Sequence, residues 1–142
     1  MNDLDALYQD VILDHNRRPR NCRAVAGARQ AEAHNPLCGD RFVVYARVDD
    51  DVLAEVSFQG TGCAISKASA SLMTESVTGR TVADAATLFD RLQAMLVAPP
   101  GGAAPGDLGA LAALAGVRQF PIRVKCALLP WRALQAALRT SA

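Results

Sequence analysis

Three of the four cysteines in this chain lie in sequence settings that are typical of metal ligands. Cys38 and Asp40 flank Gly39, whose conformational freedom allows both side chains to turn toward one point. Cys63 follows a Gly-Thr-Gly segment whose small residues allow the backbone to pass close to an ion, and Cys126 lies at the edge of another structured segment. Soft sulfur ligands favour zinc or an iron–sulfur cluster over magnesium or calcium. The sequence therefore predicts one shared metal site with tetrahedral ligands.

The surroundings of these residues favour thiolate over thiol. Cys63 is predicted at the start of a helix, where unpaired backbone N–H groups and the helix dipole stabilise negative charge, and Cys126 is expected in a similar position. Arg41, Arg123 and Lys125 are sequence neighbours of the ligands and can offset the net negative charge of the site. Oxygen binds a borderline-soft ion more weakly than sulfur does, so the carboxylate predicts a site that can rearrange.

The remaining cysteine and both histidines are interpreted as lying outside the metal site. Cys22 lies in a predicted exposed loop without a partner nearby, so its presence is interpreted as incidental. His15 closes a predicted helix and His34 precedes the glycine turn, so both are interpreted as solvated or structural. The basic run at residues 17–20 is interpreted as a solvated face, with a docking patch for an acidic protein as the alternative.

Composition limits the class of protein. A chain of 142 residues that is 51% hydrophobic can form one domain with a core that needs no disulfides. A net charge of +1 argues against broad attraction to nucleic acid or anionic lipid. The acidic N-terminus and the lack of a long apolar run predict a cytoplasmic protein. In a reducing compartment the four cysteines are expected to be ligands or catalysts, although an even count would also permit two disulfides.

The spacing of apolar residues predicts the elements that position the site. Helices are predicted over about 3–14, 63–77, 81–97 and 108–115, and a last helix ends at 139 and starts near Cys126. Strands are predicted over about 26–33, 41–48 and 52–58. The aspartates at 49–51 join the last two strands as a hairpin, residues 98–107 form a low-complexity excursion, and residues 120–124 are predicted as loop or extended chain. The class is α+β, a small antiparallel three-stranded sheet with helices packed on one side.

These motifs resemble the IscU/NifU N-terminal superfamily of iron–sulfur cluster assembly proteins, and within it the SufU type. The similarity covers nearly the whole chain, and it is carried by the segments at 7–21, 35–40, 60–71 and 123–131. It implies a single domain over residues 1–142 with an insertion at about 98–119. It also implies that the metal ligands are Cys38, Asp40, Cys63 and Cys126.

Three departures from the scaffold members of this superfamily favour the sulfur-transfer type. Lys125 stands where scaffold members have a histidine immediately before the last cysteine. The segment at 120–124 does not reproduce the scaffold's proline-valine-lysine motif for chaperone recognition. The stretch at 98–119 resembles the insertion that marks the SufU type.

The resemblance implies a zinc-dependent sulfurtransferase that works with a SufS-type pyridoxal-phosphate cysteine desulfurase and passes sulfur to a downstream iron–sulfur assembly scaffold. A partner histidine is expected to replace one zinc ligand and free Cys38, which is expected to accept persulfide sulfur because its glycine turn can move. Arg123 is expected to balance charge or act as a gate. Neither nucleic acid nor a membrane is expected as a partner. The alternatives are a scaffold that builds a [2Fe–2S] cluster on the same ligands and a structural zinc-binding interaction domain.

Overall fold

The computed structural model describes residues 3–36, 39–98 and 106–139 of the chain. The predicted excursion at 98–107 therefore lies mostly outside the described residues, as does Cys38. No helix in the described part of the chain combines the length and apolar character needed to cross a membrane. The described elements, in chain order, are α1 (Asp3–Arg17), β1 (Arg29–Asn35), β2 (Asp40–Asp49), β3 (Val52–Thr61), α2 (Ala64–Val77), α3 (Val82–Val97), a 3-10 segment (Gly106–Gln119) and α4 (Pro121–Leu138).

The three strands form one antiparallel sheet in the order β1-β2-β3. Asp50 and Asp51 have positive φ values of 49° and 64°, which is typical of the tight turn that joins two hairpin strands. Phe42, Val44 and Ala46 alternate along β2 and are fully buried, whereas the side chains between them are partly exposed. Helices α2 and α4 contact this sheet. The predicted fold, a three-stranded antiparallel sheet with helices on one side, is confirmed.

Helix α2 is central because its small residues allow close packing with α1 and α4. Ala68, Ser69, Ala70 and Ser71 are all fully buried. The hydroxyl of Ser69 donates a hydrogen bond of 2.5 Å to the carbonyl oxygen of Ala127 in α4. Buried hydroxyls that are paired in this way avoid the desolvation penalty of an unsatisfied polar group. The packing fixes α4 against the start of α2, where the site is formed.

The boundaries of α2 and α3 follow their capping residues, as predicted. Gly79 follows the end of α2 with a positive φ of 88°, the conformation in which glycine terminates helices. Thr81 caps α3, since its hydroxyl accepts a 3.0 Å hydrogen bond from the backbone N–H of Asp84. The predicted inward residues of α3 are all buried, namely Ala85, Leu88, Leu92 and Met95.

The predicted start of the last helix is wrong. Helix α4 begins at Pro121, so only Phe120 of the segment at 120–124 is extended, with φ −129° and ψ 92°. Proline suits the first helical position because its φ is already helical and its missing N–H would have no partner there. Cys126 consequently lies in the second turn of α4, not at its start, and Trp131 is fully buried in the middle of the helix.

The other predicted boundaries differ less from those in the structure. Helix α1 continues to Arg17 before the chain reaches Pro19. Strand β1 begins at Arg29, later than predicted, because Gly27 lies in a turn with a positive φ of 76°. The predicted helix at 108–115 is part of a longer 3-10 segment, which is interrupted at Gly109 by a non-helical conformation with φ 57° and ψ −133°.

Candidate metal centre

Asp40 is a buried carboxylate at the start of β2, only 3% exposed. Its Oδ1 accepts a hydrogen bond of 3.2 Å from the backbone N–H of Cys63. Its Oδ2 is also buried, and no hydrogen-bond donor among the described residues reaches it. A buried carboxylate is costly unless it is paired or coordinates a metal. The open oxygen is therefore suited to a cation.

Cys63 is the N-cap residue of α2, in agreement with its predicted place at a helix start. Its Sγ accepts a hydrogen bond of 3.4 Å from the backbone N–H of Ser66 and lies 3.5 Å from the hydroxyl of Ser66. These contacts hold the sulfur of Cys63 at the positive end of the helix dipole of α2. No sequence motif predicted Ser66 as a site residue, although its position three residues after the cap is a recognised capping spacing.

The structure brings Asp40, Cys63 and Cys126 together. One oxygen of Asp40 and the two sulfur atoms all lie within 4.8 Å of one another, close enough for the three residues to share one ion. We call these three residues the ligand group. Cys126 is 3% exposed, and Cys63 lies at the exposed side of the group. The ligand group is therefore anchored by one strand and two helices and opens toward solvent.

Cys38, the fourth predicted ligand, lies outside the described residues, so its part in the site stays a prediction. It is two residues from Asp40, which limits the separation of their Cα atoms to about 7 Å. Gly39 between them has a positive φ of 73°, and its N–H donates a 2.8 Å hydrogen bond to the carbonyl oxygen of Asn35. The chain thus turns tightly next to the ligand group.

The donor set of the ligand group suits zinc or an iron–sulfur cluster. Two sulfur atoms and one carboxylate oxygen already match the ligands that zinc accepts, and a fourth ligand from Cys38 would complete a tetrahedron. Iron–sulfur clusters are held mainly by cysteine sulfur, so the same residues could also hold one. The unpaired Oδ2 of Asp40 is the structural feature that such a group would satisfy.

The cations that neighbour the ligands in sequence are exposed. Arg41 lies 3.5 Å from the carboxylate of Glu32 on β1. The guanidinium of Arg123 lies over the ring of Phe120, 5.6 Å from its centroid. Lys125 is exposed on α4. The charge-balancing role of these cations stays a prediction, as does a gating role for Arg123.

The remaining cysteine and the two histidines are not part of the ligand group. His15 is buried between α1 and α2, with its Nδ1 2.7 Å from the hydroxyl of Ser71 and its Nε2 3.6 Å from the carboxylate of Glu75. His34 is exposed on β1, and Cys22 is exposed beside β3. None of the three belongs to the potential metal-binding group found among the described residues. The structural interpretation of His15 agrees with these contacts.

We expect protonation of His15 to lower the free energy of unfolding as the pH falls below about 6.5. Burial, together with the charge of Arg20, lowers the pKa of His15 below its ordinary value of 6.5, and the carboxylates of Glu75 and Asp14 only partly oppose this effect. The unfolded chain therefore binds a proton at a higher pH than the folded chain, so the free energy of unfolding falls between 6.5 and the lower folded pKa. Urea denaturation at pH 7.5 and pH 5.5 measures the loss.

The matched variant for this measurement is His15→Gln, which retains a polar side chain but cannot titrate. Protonation of the metal ligands affects parent and variant alike, so the difference between them isolates His15. The parent should lose more stability than His15→Gln on acidification. An equal loss in both proteins would contradict the prediction.

Comparison with known proteins gives one consistent family. Residues 7–127 match the family described as the NifU-like N-terminal domain. The zinc-dependent sulfurtransferase SufU of Bacillus subtilis is 38% identical over 133 residues, which cover 94% of this chain and 90% of that protein. The iron–sulfur cluster assembly scaffold protein IscU of Streptococcus pyogenes is 37% identical over 142 residues, which cover 100% of this chain and 89% of that protein.

A solved structure agrees with this result. It is that of a candidate iron–sulfur cluster assembly scaffold protein for the SUF system from Fervidobacterium islandicum. The two structures superimpose with a TM-score of 0.84 at 32% sequence identity, over 94% of this chain and 98% of the other. Relatives with a sulfurtransferase name and relatives with a scaffold name are thus about equally similar, so identity alone does not separate the two roles.

Proposed function

This chain belongs to the NifU-like N-terminal domain family, and from that premise we propose that it is a zinc-dependent sulfurtransferase of iron–sulfur cluster assembly. Its partner would be a SufS-type cysteine desulfurase, as the resemblance to the SufU type implies. The observation that carries the proposal is the ligand group, in which a buried aspartate with an open oxygen meets two cysteine sulfur atoms within 4.8 Å. The name of the relative from Bacillus subtilis supports the same role.

Four residues of this chain would hold the ion, namely Cys38, Asp40, Cys63 and Cys126. Bound zinc would keep the cysteine sulfur atoms deprotonated at neutral pH. The backbone N–H groups of Cys63 and Ser66 orient the carboxylate and one sulfur atom through their hydrogen bonds. Because Cys63 and Cys126 are each fixed by a helix, the sulfur that can leave the site most easily is that of Cys38 on the Gly39 turn.

The proposed transfer is a thiol exchange. The thiolate of Cys38 attacks the terminal sulfur of a protonated persulfide on the desulfurase, and a new S–S bond forms on Cys38. The S–S bond of the partner breaks, and the partner's cysteine leaves as a thiolate. The exchange needs no external oxidant or reductant. The terminal sulfur can then pass to a downstream assembly scaffold by the same chemistry.

A scaffold for a [2Fe–2S] cluster is the second candidate function. The cysteine-rich ligand group suits it, and the relative from Streptococcus pyogenes is named as a scaffold protein. Lys125 argues against it, because the resemblance places a histidine at this position in scaffold members. The exposed side chain of Lys125 cannot replace a histidine ligand while it remains protonated.

Metal content and desulfurase stimulation together test the proposal. Freshly purified protein is expected to be colourless, to contain about one zinc per chain, and to raise the rate of a SufS-type desulfurase several-fold with cysteine as substrate. Elemental analysis, visible absorption and a sulfide assay measure these properties. A brown cluster that transfers to an apo-ferredoxin would favour the scaffold instead. Zinc that stabilises the fold but leaves the desulfurase rate unchanged would indicate a structural zinc domain.

A further inference from the structure

Two large apolar side chains are exposed where α4 begins. Phe120 is 55% exposed and Ile122 is 71% exposed, and we call this pair the α4 entry patch. Among the described residues, the other exposed large apolar side chains are Leu13 and Val97, which lie in α1 and α3 and are not close to each other in sequence. Isolated apolar side chains on a surface are common, but a pair beside a reactive site requires an explanation.

Ile122 places the α4 entry patch next to the ligand group. Ile122 and Cys126 are four residues apart in α4, so they lie on the same face of the helix, about one 5.4 Å turn from each other. Cys126 is buried within the ligand group, whereas Ile122 extends the same face into solvent. The patch therefore forms part of the rim through which a second protein would reach the metal centre.

Two cations adjoin the patch. The guanidinium of Arg123 lies over the ring of Phe120, and Lys125 is exposed one turn away from Pro121. The segment at 120–126 contains no acidic residue. An apolar surface with two cations at its edge fits a partner surface that has an apolar pocket bordered by carboxylates.

We infer that the α4 entry patch is the apolar anchor on which the persulfide-carrying desulfurase docks. The inference rests on the proposed function, because sulfur exchange requires the two sulfur atoms to touch. A stable interface buries about 800 Å² on each partner, which corresponds to a disc of about 16 Å radius. A disc of this size centred on the ligand group covers Ile122. A few residues near the centre of an interface carry most of its binding energy.

The variant that tests the inference is the double substitution Phe120→Ser with Ile122→Ser. Phe120 is the N-cap residue of α4 and makes no side-chain capping hydrogen bond, whereas serine is a preferred N-cap residue. The double variant should therefore keep α4 folded while it loses apolar surface. The matched control is Val97→Ser, which removes an equally exposed apolar side chain, 69% exposed, from the last residue of α3.

The measurement is the concentration of zinc-loaded protein that gives half-maximal stimulation of a purified SufS-type desulfurase. In the double variant this concentration should rise about tenfold, with zinc content unchanged and a similar maximal rate. In Val97→Ser it should stay within about twofold of the parent. Zinc analysis of each sample excludes an indirect effect through the ligand group.

Three outcomes would overturn the inference in distinguishable ways. The first outcome is that the parent stimulates the desulfurase and that the double variant and Val97→Ser have the same half-saturating concentration. This result would reject the patch as the docking anchor but retain the proposed function. No stimulation by the parent would reject both. A parent dimer that dissociates in the double variant during sedimentation, with desulfurase binding unchanged, would assign the patch to a second copy of this chain.

Discussion

Replacement of Cys38 by alanine should reduce the stimulation of a SufS-type desulfurase at least about a hundredfold, because it removes the sulfur that forms the new covalent bond. Zinc should still bind, although more weakly, since Asp40, Cys63 and Cys126 lie within 4.8 Å of one another on three different elements. Sulfide release measures stimulation, and elemental analysis after gel filtration measures retained zinc.

Cys22→Ala is the matched control for this prediction. Cys22 is exposed beside β3 and is not part of the ligand group, so its loss removes one thiol without touching the site. This variant should stimulate the desulfurase as well as the parent does. If Cys38→Ala performed equally well, Cys38 could not be the sulfur acceptor.

Gly60→Ala should lower the free energy of unfolding by about 3 kcal/mol. Gly60 has φ 152° and lies opposite Phe42 in the pairing of β2 with β3. A Cβ at this position would collide with the backbone carbonyl oxygen of Arg41 and lie 2.8 Å from the Cα of Phe42. Backbone atoms cannot yield as a side chain can, so the end of the hairpin between Asp40 and Cys63 would have to open. Urea denaturation and zinc content are the measurements.

A second glycine provides the control. Gly116 lies in the 3-10 segment, and a Cβ built there would meet nothing within 4 Å. Gly116→Ala should therefore change the free energy of unfolding by less than about 1 kcal/mol and leave zinc content unaltered. Equal stability of the two variants would mean that β2 and β3 can separate locally without loss, contrary to the argument from Gly60.

The hairpin turn and the helix ends could be predicted from the sequence, because they depend on the types of one or two residues. Aspartate tolerates the positive φ values that Asp50 and Asp51 adopt in the tight turn, so the run at 49–51 predicts the hairpin. Thr81 and Gly79 marked one helix start and one helix end because capping depends on the residue itself. The passage of the backbone at Gly60 and Gly62 close to an ion stays a prediction. In the structure, a Cβ at Gly60 would meet Arg41 and Phe42 of β2, and one at Gly62 would meet Phe42 and Ser66.

The start of α4 could not be derived from local signals alone. The sequence Phe-Pro-Ile-Arg-Val has the β-branched and proline content of an extended segment, and its helix is stabilised from Cys126 onward by burial against α2 and the sheet. The prediction of β1 is limited for a different reason. Its exposed polar residues Gln30, Glu32 and His34 alternate with Ala31 and Ala33, but alanine has a low strand propensity.

The identities of the ligands came from residue type and motif, whereas the geometry of the site did not. Nothing in the sequence around Asp40 indicates that its carboxylate is buried, or that one oxygen is bound by the N–H of Cys63 while the other has no donor among the described residues. Such facts depend on the pairing of β2 with β3 and on the placement of α2. They arise only when elements distant in sequence are assembled.

The ligand group also has a consequence for how the protein is made. Asp40 and Cys63 belong to the first half of the chain, but Cys126 lies in α4, which also covers β1 and β2. A ribosome therefore releases the strands and two prospective ligands well before the residue that completes the group. The nascent chain cannot complete the ligand group until α4 has emerged and docked, so the group forms only after the sheet and α2 have been released.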